Sequence, residues 1–153
     1  MAMNSKAETL HWTTHSAEET IATGREIARL LHPPMLLLLR GELGAGKTTL
    51  VKGIAEAWGA ARADEVTSPT FTLLHEYMGT REGRPVLLCH LDLYRVEDDR
   101  QLAAIGLDEL PTPDAVVLVE WGEKFPLLAA RCNGEIAIES RDADTRQIRL
   151  QLR

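Results

Sequence analysis

Residues 41–48 read Gly41-Glu42-Leu43-Gly44-Ala45-Gly46-Lys47-Thr48, a complete G-x-x-x-x-G-K-[ST] pattern. Each residue type has a use beside a chain of phosphates. Glycines let successive backbone N–H groups turn inward on the oxygens, the lysine reaches the β- and γ-phosphates, and the final hydroxyl ligates Mg²⁺. Such a loop works only between a strand and a helix. The apolar run Met35-Leu36-Leu37-Leu38-Leu39 before it reads as a buried strand. From Thr49 to Trp58, Leu50, Val51, Ile54 and Ala57 fall near one helical face, and Gly59 is placed to cap it. The helix N-terminus adds roughly half a positive charge where the phosphates would lie. Gly44, Ala45, Gly46, Lys47, Thr48 and Thr49 are therefore the expected triphosphate-binding set, with Thr48 on the metal.

A metal-bound triphosphate also needs an acid at the carboxyl end of a neighbouring buried strand. Two runs end this way: Val86 to Leu91 leads into Asp92, and Ala115 to Val119 leads into Glu120. We assign Glu120 to Mg²⁺, directly or through water, and Asp92 to the attacking water or the metal shell. The reverse assignment stays open. Ser68-Pro69-Thr70 sits where a loop can cross over the γ-phosphate, so the Thr70 hydroxyl can report whether the triphosphate is intact. A proline turn with a capping hydroxyl accounts for the same residues equally well.

The remaining elements must carry these groups. Thr9 to Thr13 alternates as a first strand, and Ser16-Ala17-Glu18-Glu19 matches a capping box that opens a helix running through Leu31 to a stop at Pro33-Pro34. An extended segment Phe71 to Tyr77 and the run Val86 to Leu91 read as a hairpin turning over Gly79 to Pro85. Asp98-Asp99 caps a helix ending at Gly106. Ala115 to Val119 is continuously apolar, the pattern of a strand covered on both faces. Ile136 and Ile138, then Ile148, Leu150 and Leu152, alternate as a second hairpin. The expectation is one α/β phosphate-loop domain over residues 1–153. It has a mixed central sheet with a parallel core, flanking helices and antiparallel hairpins.

Five blocks, in order and spacing, resemble the TsaE (YjeE) family of small bacterial phosphate-loop ATPases. They are Gly-Glu-Leu-Gly-Ala-Gly-Lys-Thr-Thr (41–49), Ser-Pro-Thr-Phe-Thr-Leu (68–73), His-Leu-Asp-Leu-Tyr-Arg (90–95), Gly-Leu-Asp-Glu-Leu (106–110) and Val-Glu-Trp (119–121). The resemblance covers roughly residues 9–152. It implies Mg²⁺-dependent ATP hydrolysis serving the threonylcarbamoyladenosine modification of tRNA, carried out on a complex of TsaB and TsaD homologues. It places Thr70 in a switch-like segment, gives Tyr94 a role, and puts Asp92 and Glu120 in hydrolysis and Mg²⁺ binding. It also brings Arg146 to the nucleotide, where a guanidinium can stack on adenine. One departure is Gly122, where the family often has proline after Glu-Trp. That loosens the backbone beside the acid without removing a ligand.

Charge narrows the partners. Seventeen Lys and Arg face 23 Asp and Glu, a net charge of −6, and no two basic residues are adjacent. A protein that grips nucleic acid by itself presents a basic face, so contact with tRNA is expected only through a protein partner. No apolar stretch approaches the ~20 residues of a membrane span, and the N-terminal residues lack the apolar core of a signal peptide. A cytoplasmic protein is expected, with Cys89 and Cys132 as reduced thiols in or beside strands. His90 and Trp121 read as packed residues, Trp121 also as a reporter of nucleotide binding. The alternative function is a small-molecule or nucleoside kinase, but the only Arg-bearing lid candidate, Arg81 to Arg84, is short and falls in a turn. A GTPase needs Asn-Lys-x-Asp, and neither asparagine here lies in that motif. A nucleotide-binding adaptor without hydrolysis sits poorly with two acids at strand ends.

Overall fold

The computed structural model describes residues 8–66 and 74–153. The expected switch segment with Thr70 lies outside them. Among the described residues the strands β1 (Glu8–Thr14), β2 (Met35–Arg40), β3 (Leu74–Arg81), β4 (Arg84–Asp92), β5 (Ala115–Glu120), β6 (Gly134–Ser140) and β7 (Arg146–Leu152) form one sheet, ordered β1-β7-β6-β2-β5-β4-β3. β6, β2, β5 and β4 run parallel. β7, β1 and β3 extend the sheet antiparallel at its two sides. The mixed sheet with a parallel core is the expected class. Its consequence is that the carboxyl ends of β2, β4 and β5 emerge along one edge.

Among the described residues four α-helices accompany the sheet: α1 (Ala17–Ala28), α2 (Lys47–Ala57), α3 (Asp99–Ala104) and α4 (Pro126–Arg131). Every residue of β5 is buried. Alternation sends Val116 and Leu118 toward α1 and α2, where they meet Ile27, Leu31, Leu50 and Ile54. Val117 and Val119 face the other way, into a cluster with Leu107, Phe125 and Leu128. Leu50 and Ile54 are fully buried, and each contributes about 2 kcal/mol of transfer free energy that clamps α2 to the sheet. That clamp fixes Lys47 at its first turn.

Local signals behave with some revisions. Ser16 caps α1 by accepting from the Glu19 N–H, but Glu19 returns its carboxylate to the His15 N–H, one residue earlier than a capping box requires. The helix ends at Ala28, short of Leu31. α2 ends in the expected glycine cap: Gly59, in the left-handed region, donates to Glu56 O and Ala60 donates to Ala55 O. The β3–β4 turn is tighter than expected, because only Glu82 and Gly83 lie between the paired Arg81 and Arg84. Gly79 and Thr80 belong to β3. A Cβ on Gly79 would lie 2.4 Å from Trp58 O, so glycine there serves close approach to the end of α2, where Thr80 N–H bonds the same oxygen. α4, six residues with proline at its start, is too short to give a helical period.

Candidate active site

The phosphate loop joins β2 to α2 as its sequence requires. Gly44 and Gly46 adopt φ of 80° and 108°, a region where a side chain is strained. Gly41 has a different constraint, since a Cβ there would lie 2.8 Å from Ile138 O on β6. The loop thus rests on β6, while Leu43 at its tip is fully solvent-exposed.

Register brings the acids to this loop. Asp92 and Glu120 are Cα partners at the ends of β4 and β5. A period of two places both carboxylates, together with His90, on the sheet face that carries α2. Lys47 Nζ donates to Gly41 O at 2.6 Å and pairs with Glu120 Oε1 at 3.0 Å. Glu120 Oε2 lies 2.5 Å from His90 Nε2. A carboxylate only accepts, so the imidazole is the donor there. Burial pushes the Glu120 carboxyl up, but the hydrogen bond and charge of His90, followed by those of Lys47, outweigh it and hold the group below its ordinary value. Asp92 moves the other way. Burial raises it, the Tyr94 N–H donating at 2.9 Å opposes, and the Glu120 charge adds to the rise, leaving its carboxyl above the ordinary value. Two neighbouring acids with oppositely displaced affinities for protons are characteristic of reactive sites.

The rim is aromatic. The Lys47 ammonium lies 5.5 Å from the centre of the Trp121 ring, and Tyr94, largely exposed, meets Trp121 at 5.3 Å between ring centres. Trp121 is held at a φ of 65°. Gly122 after it begins a short turn, and a Cβ there would lie 2.7 Å from Leu38 Cδ2. Lys124 Nζ, donating to Leu93 O and Tyr94 O, staples the segments that follow the two acids.

Arg146, which the resemblance brings to the nucleotide, lies beside the phosphate loop. Its guanidinium is engaged by backbone: Nε donates to Ala45 O at 2.8 Å, and Nη1 faces Asp142 O, Ala143 O and Thr145 O. It braces the phosphate loop against the β6–β7 turn. Beside the loop, a groove of about 1120 Å³ runs over the polar face of β6, β7 and β1 and is lined by Gly41, Ala45, Trp121 and Arg149.

The donor set fits a divalent cation of the kind that keeps its waters. Such an ion takes one or two protein oxygens and completes its shell with phosphate and water. Thr48 at the start of α2, with one carboxylate of Glu120 or Asp92, meets that need. Among the described residues no group of three or more His, Cys, Asp or Glu forms an all-protein cage. Arg81 and Arg84 flank the turn that precedes β4, at the sheet end opposite Asp92 and the loop, so they cannot close over phosphates. Cys89 and Cys132 are buried free thiols. Among the described residues no helix is long and apolar enough to cross a membrane.

Comparison with known proteins follows the geometry. A model of the family described as "Threonylcarbamoyl adenosine biosynthesis protein TsaE" matches residues 14–148. A Bacillus subtilis protein named tRNA threonylcarbamoyladenosine biosynthesis protein TsaE is 40% identical over 139 residues, 91% of this chain and 83% of that one. A protein of the same name from Aquifex aeolicus is 39% identical over 135 residues, 88% of this chain and 90% of its own. The crystal structure of Bacillus subtilis YdiB superposes with a TM-score of 0.71 at 32% identity, covering 97% of this chain and 88% of that one.

Proposed function

The chain belongs to the TsaE family of tRNA threonylcarbamoyladenosine biosynthesis proteins, and we propose that it acts there as an ATP-hydrolysing, Mg²⁺-dependent subunit. The observation that carries this reading is the convergence of Lys47, Glu120 and Asp92 at the mouth of the phosphate loop. In the reading, the loop and Lys47 hold the triphosphate. Lys47 exchanges the Glu120 carboxylate and the Gly41 carbonyl for phosphate oxygens. A water attacks the γ-phosphorus, the bond to the bridging oxygen breaks, and a carboxylate at the strand ends orients the water. Thr48 and Glu120 would hold Mg²⁺, which neutralises charge on the β- and γ-phosphates, and Asp92 would serve the water. Thr70 would sense the γ-phosphate.

The partners in this reading are the TsaB and TsaD homologues of the same organism, with tRNA reached only through them. A nucleotide switch is useful when another molecule reads its state. The acidic charge of the chain supports indirect contact with RNA. Phosphate release from ATP should be slow for the isolated protein, need Mg²⁺, and rise when TsaB and TsaD are added. Docking should be stronger with ATP than with ADP. A pull-down in each nucleotide state, beside a tRNA gel shift, tests this. Tight tRNA binding by the lone chain, or docking indifferent to nucleotide, would overturn it.

A further inference from the structure

We propose that His90 is a positioning residue, holding the Glu120 carboxylate in place when Lys47 leaves it for the phosphates. The proposal rests on the hydrolytic reading above and concerns the same site. Glu120 is held by two donors of different kinds. Lys47 approaches from α2 on a flexible four-carbon stem, and the phosphate loop recruits its ammonium for the nucleotide. His90 is rigid by comparison: it is fully buried, sits inside β4, and places Nε2 2.5 Å from Oε2. Once Lys47 moves, His90 is the donor that still fixes the glutamate torsions.

A second observation separates this role from simple packing. Among the described residues, His90 Nδ1 is buried with no hydrogen-bond partner. Most buried polar atoms are satisfied, so an orphan calls for a reason. An apolar side chain would fill the same space without one. The orphan is the cost of presenting Nε2 to Glu120. Asp92 lies two residues further along the same strand face, so the histidine and both acids share one backbone frame.

The test uses three variants. Glutamine places its amide nitrogen near the position of imidazole Nε2, whereas asparagine reaches only the position of Nδ1. His90→Gln should retain kcat within a few-fold. His90→Asn and His90→Leu should lose about ten- to a hundred-fold in kcat, the usual cost of a lost orienting hydrogen bond, with KM for ATP little changed. A packing role predicts instead that His90→Leu is the best tolerated, and that Gln and Asn behave alike. The ¹³C resonance of the Glu120 carboxyl gives a readout that does not depend on turnover. It should match wild type in His90→Gln and move in His90→Asn. Equal kcat in the Gln and Asn variants, or an unmoved resonance, overturns the proposal. A folded but slow His90→Gln does so alone, even where the other two variants fail to fold. Absence of hydrolysis in the wild type, with and without TsaB and TsaD, fails the functional reading instead, and the carboxyl resonance then decides the role of His90.

Discussion

Replacing Lys47 with alanine should weaken the fold as well as the site. Lys47 and Glu120 are only 9% and 4% exposed, so in the intact protein water does little to screen the 3.0 Å contact between them. Removing one partner of a buried ion pair costs about 3–5 kcal/mol, and the lost bond to Gly41 O adds about 1 kcal/mol. Two features reduce the sum. His90 still donates to the other Glu120 oxygen, and truncation opens the pair to the cleft, where water can solvate the carboxylate. A net loss of about 2–3 kcal/mol follows, or about 4–12 °C in Tm at this chain length. The protein remains folded, since domains hold about 5–15 kcal/mol. The pH dependence is signed. An acid held below its ordinary value contributes stability above that value and loses it as pH falls through the depressed one. Without Lys47 that contribution shrinks, so the gap between wild type and variant is widest at neutral pH, begins to narrow near the ordinary carboxyl value of about 4, and closes only as pH falls through the depressed one. Urea unfolding without nucleotide at several pH values, with Glu120→Gln and the double variant completing a cycle, measures both effects. Equal stabilities at pH 7, or single penalties that add fully in the double variant, would refute the reasoning.

Glu120→Gln should bind ATP yet hydrolyse it at least ~10²-fold more slowly, measured by phosphate release; a silent Glu120→Gln with a dead Asp92→Asn exchanges the two roles. Arg146→Ala should weaken ADP and ATP alike by about tenfold, the worth of one charge-assisted hydrogen bond to the loop, and unchanged affinity by calorimetry would remove its bracing role. Thr70→Ala should spare ADP affinity and reduce that for a non-hydrolysable ATP analogue; equal losses would leave Thr70 a turn residue. Burial pushes the Cys89 and Cys132 thiols up to about 11, so at pH 8 only about one in a thousand is ionised. Iodoacetamide should label both after denaturation and neither before, and free-thiol rates in the native protein would contradict that burial.

What could be read in advance were features whose cause is local. The phosphate loop, the glycine cap at Gly59 and the apolar run Ala115 to Val119 of β5 each announce themselves within a dozen residues. The convergence of Asp92 and Glu120 was also legible, because parallel strands share a carboxyl edge. His90 was not, since its partner lies 30 residues away and a lone histidine in an apolar run reads as packing. Nor was the bracing of Ala45 by Arg146, 101 residues apart. The family resemblance led to that residue, whereas the acceptors it uses are backbone carbonyls that no side-chain pattern reports. Gly79 resembled a turn residue because its real constraint, the Trp58 carbonyl, comes from another element.

The order of strands has a consequence for the growing chain. β7 lies between β1 and β6 and pairs with both along its length. Among the described strands β1 is made first, yet it has no neighbour in the sheet until residues 146–152 exist. Pairing Glu8 with Leu152 closes a loop through every other described strand, and closures of that span are slow and come late. During translation the phosphate loop and its two acids can assemble on β2, β5 and β4 while one side of the sheet is still open. β7 is thus the keystone: a ribosome stalled short of it would leave Leu10 and Trp12 on an unpaired strand, ready to associate with another chain.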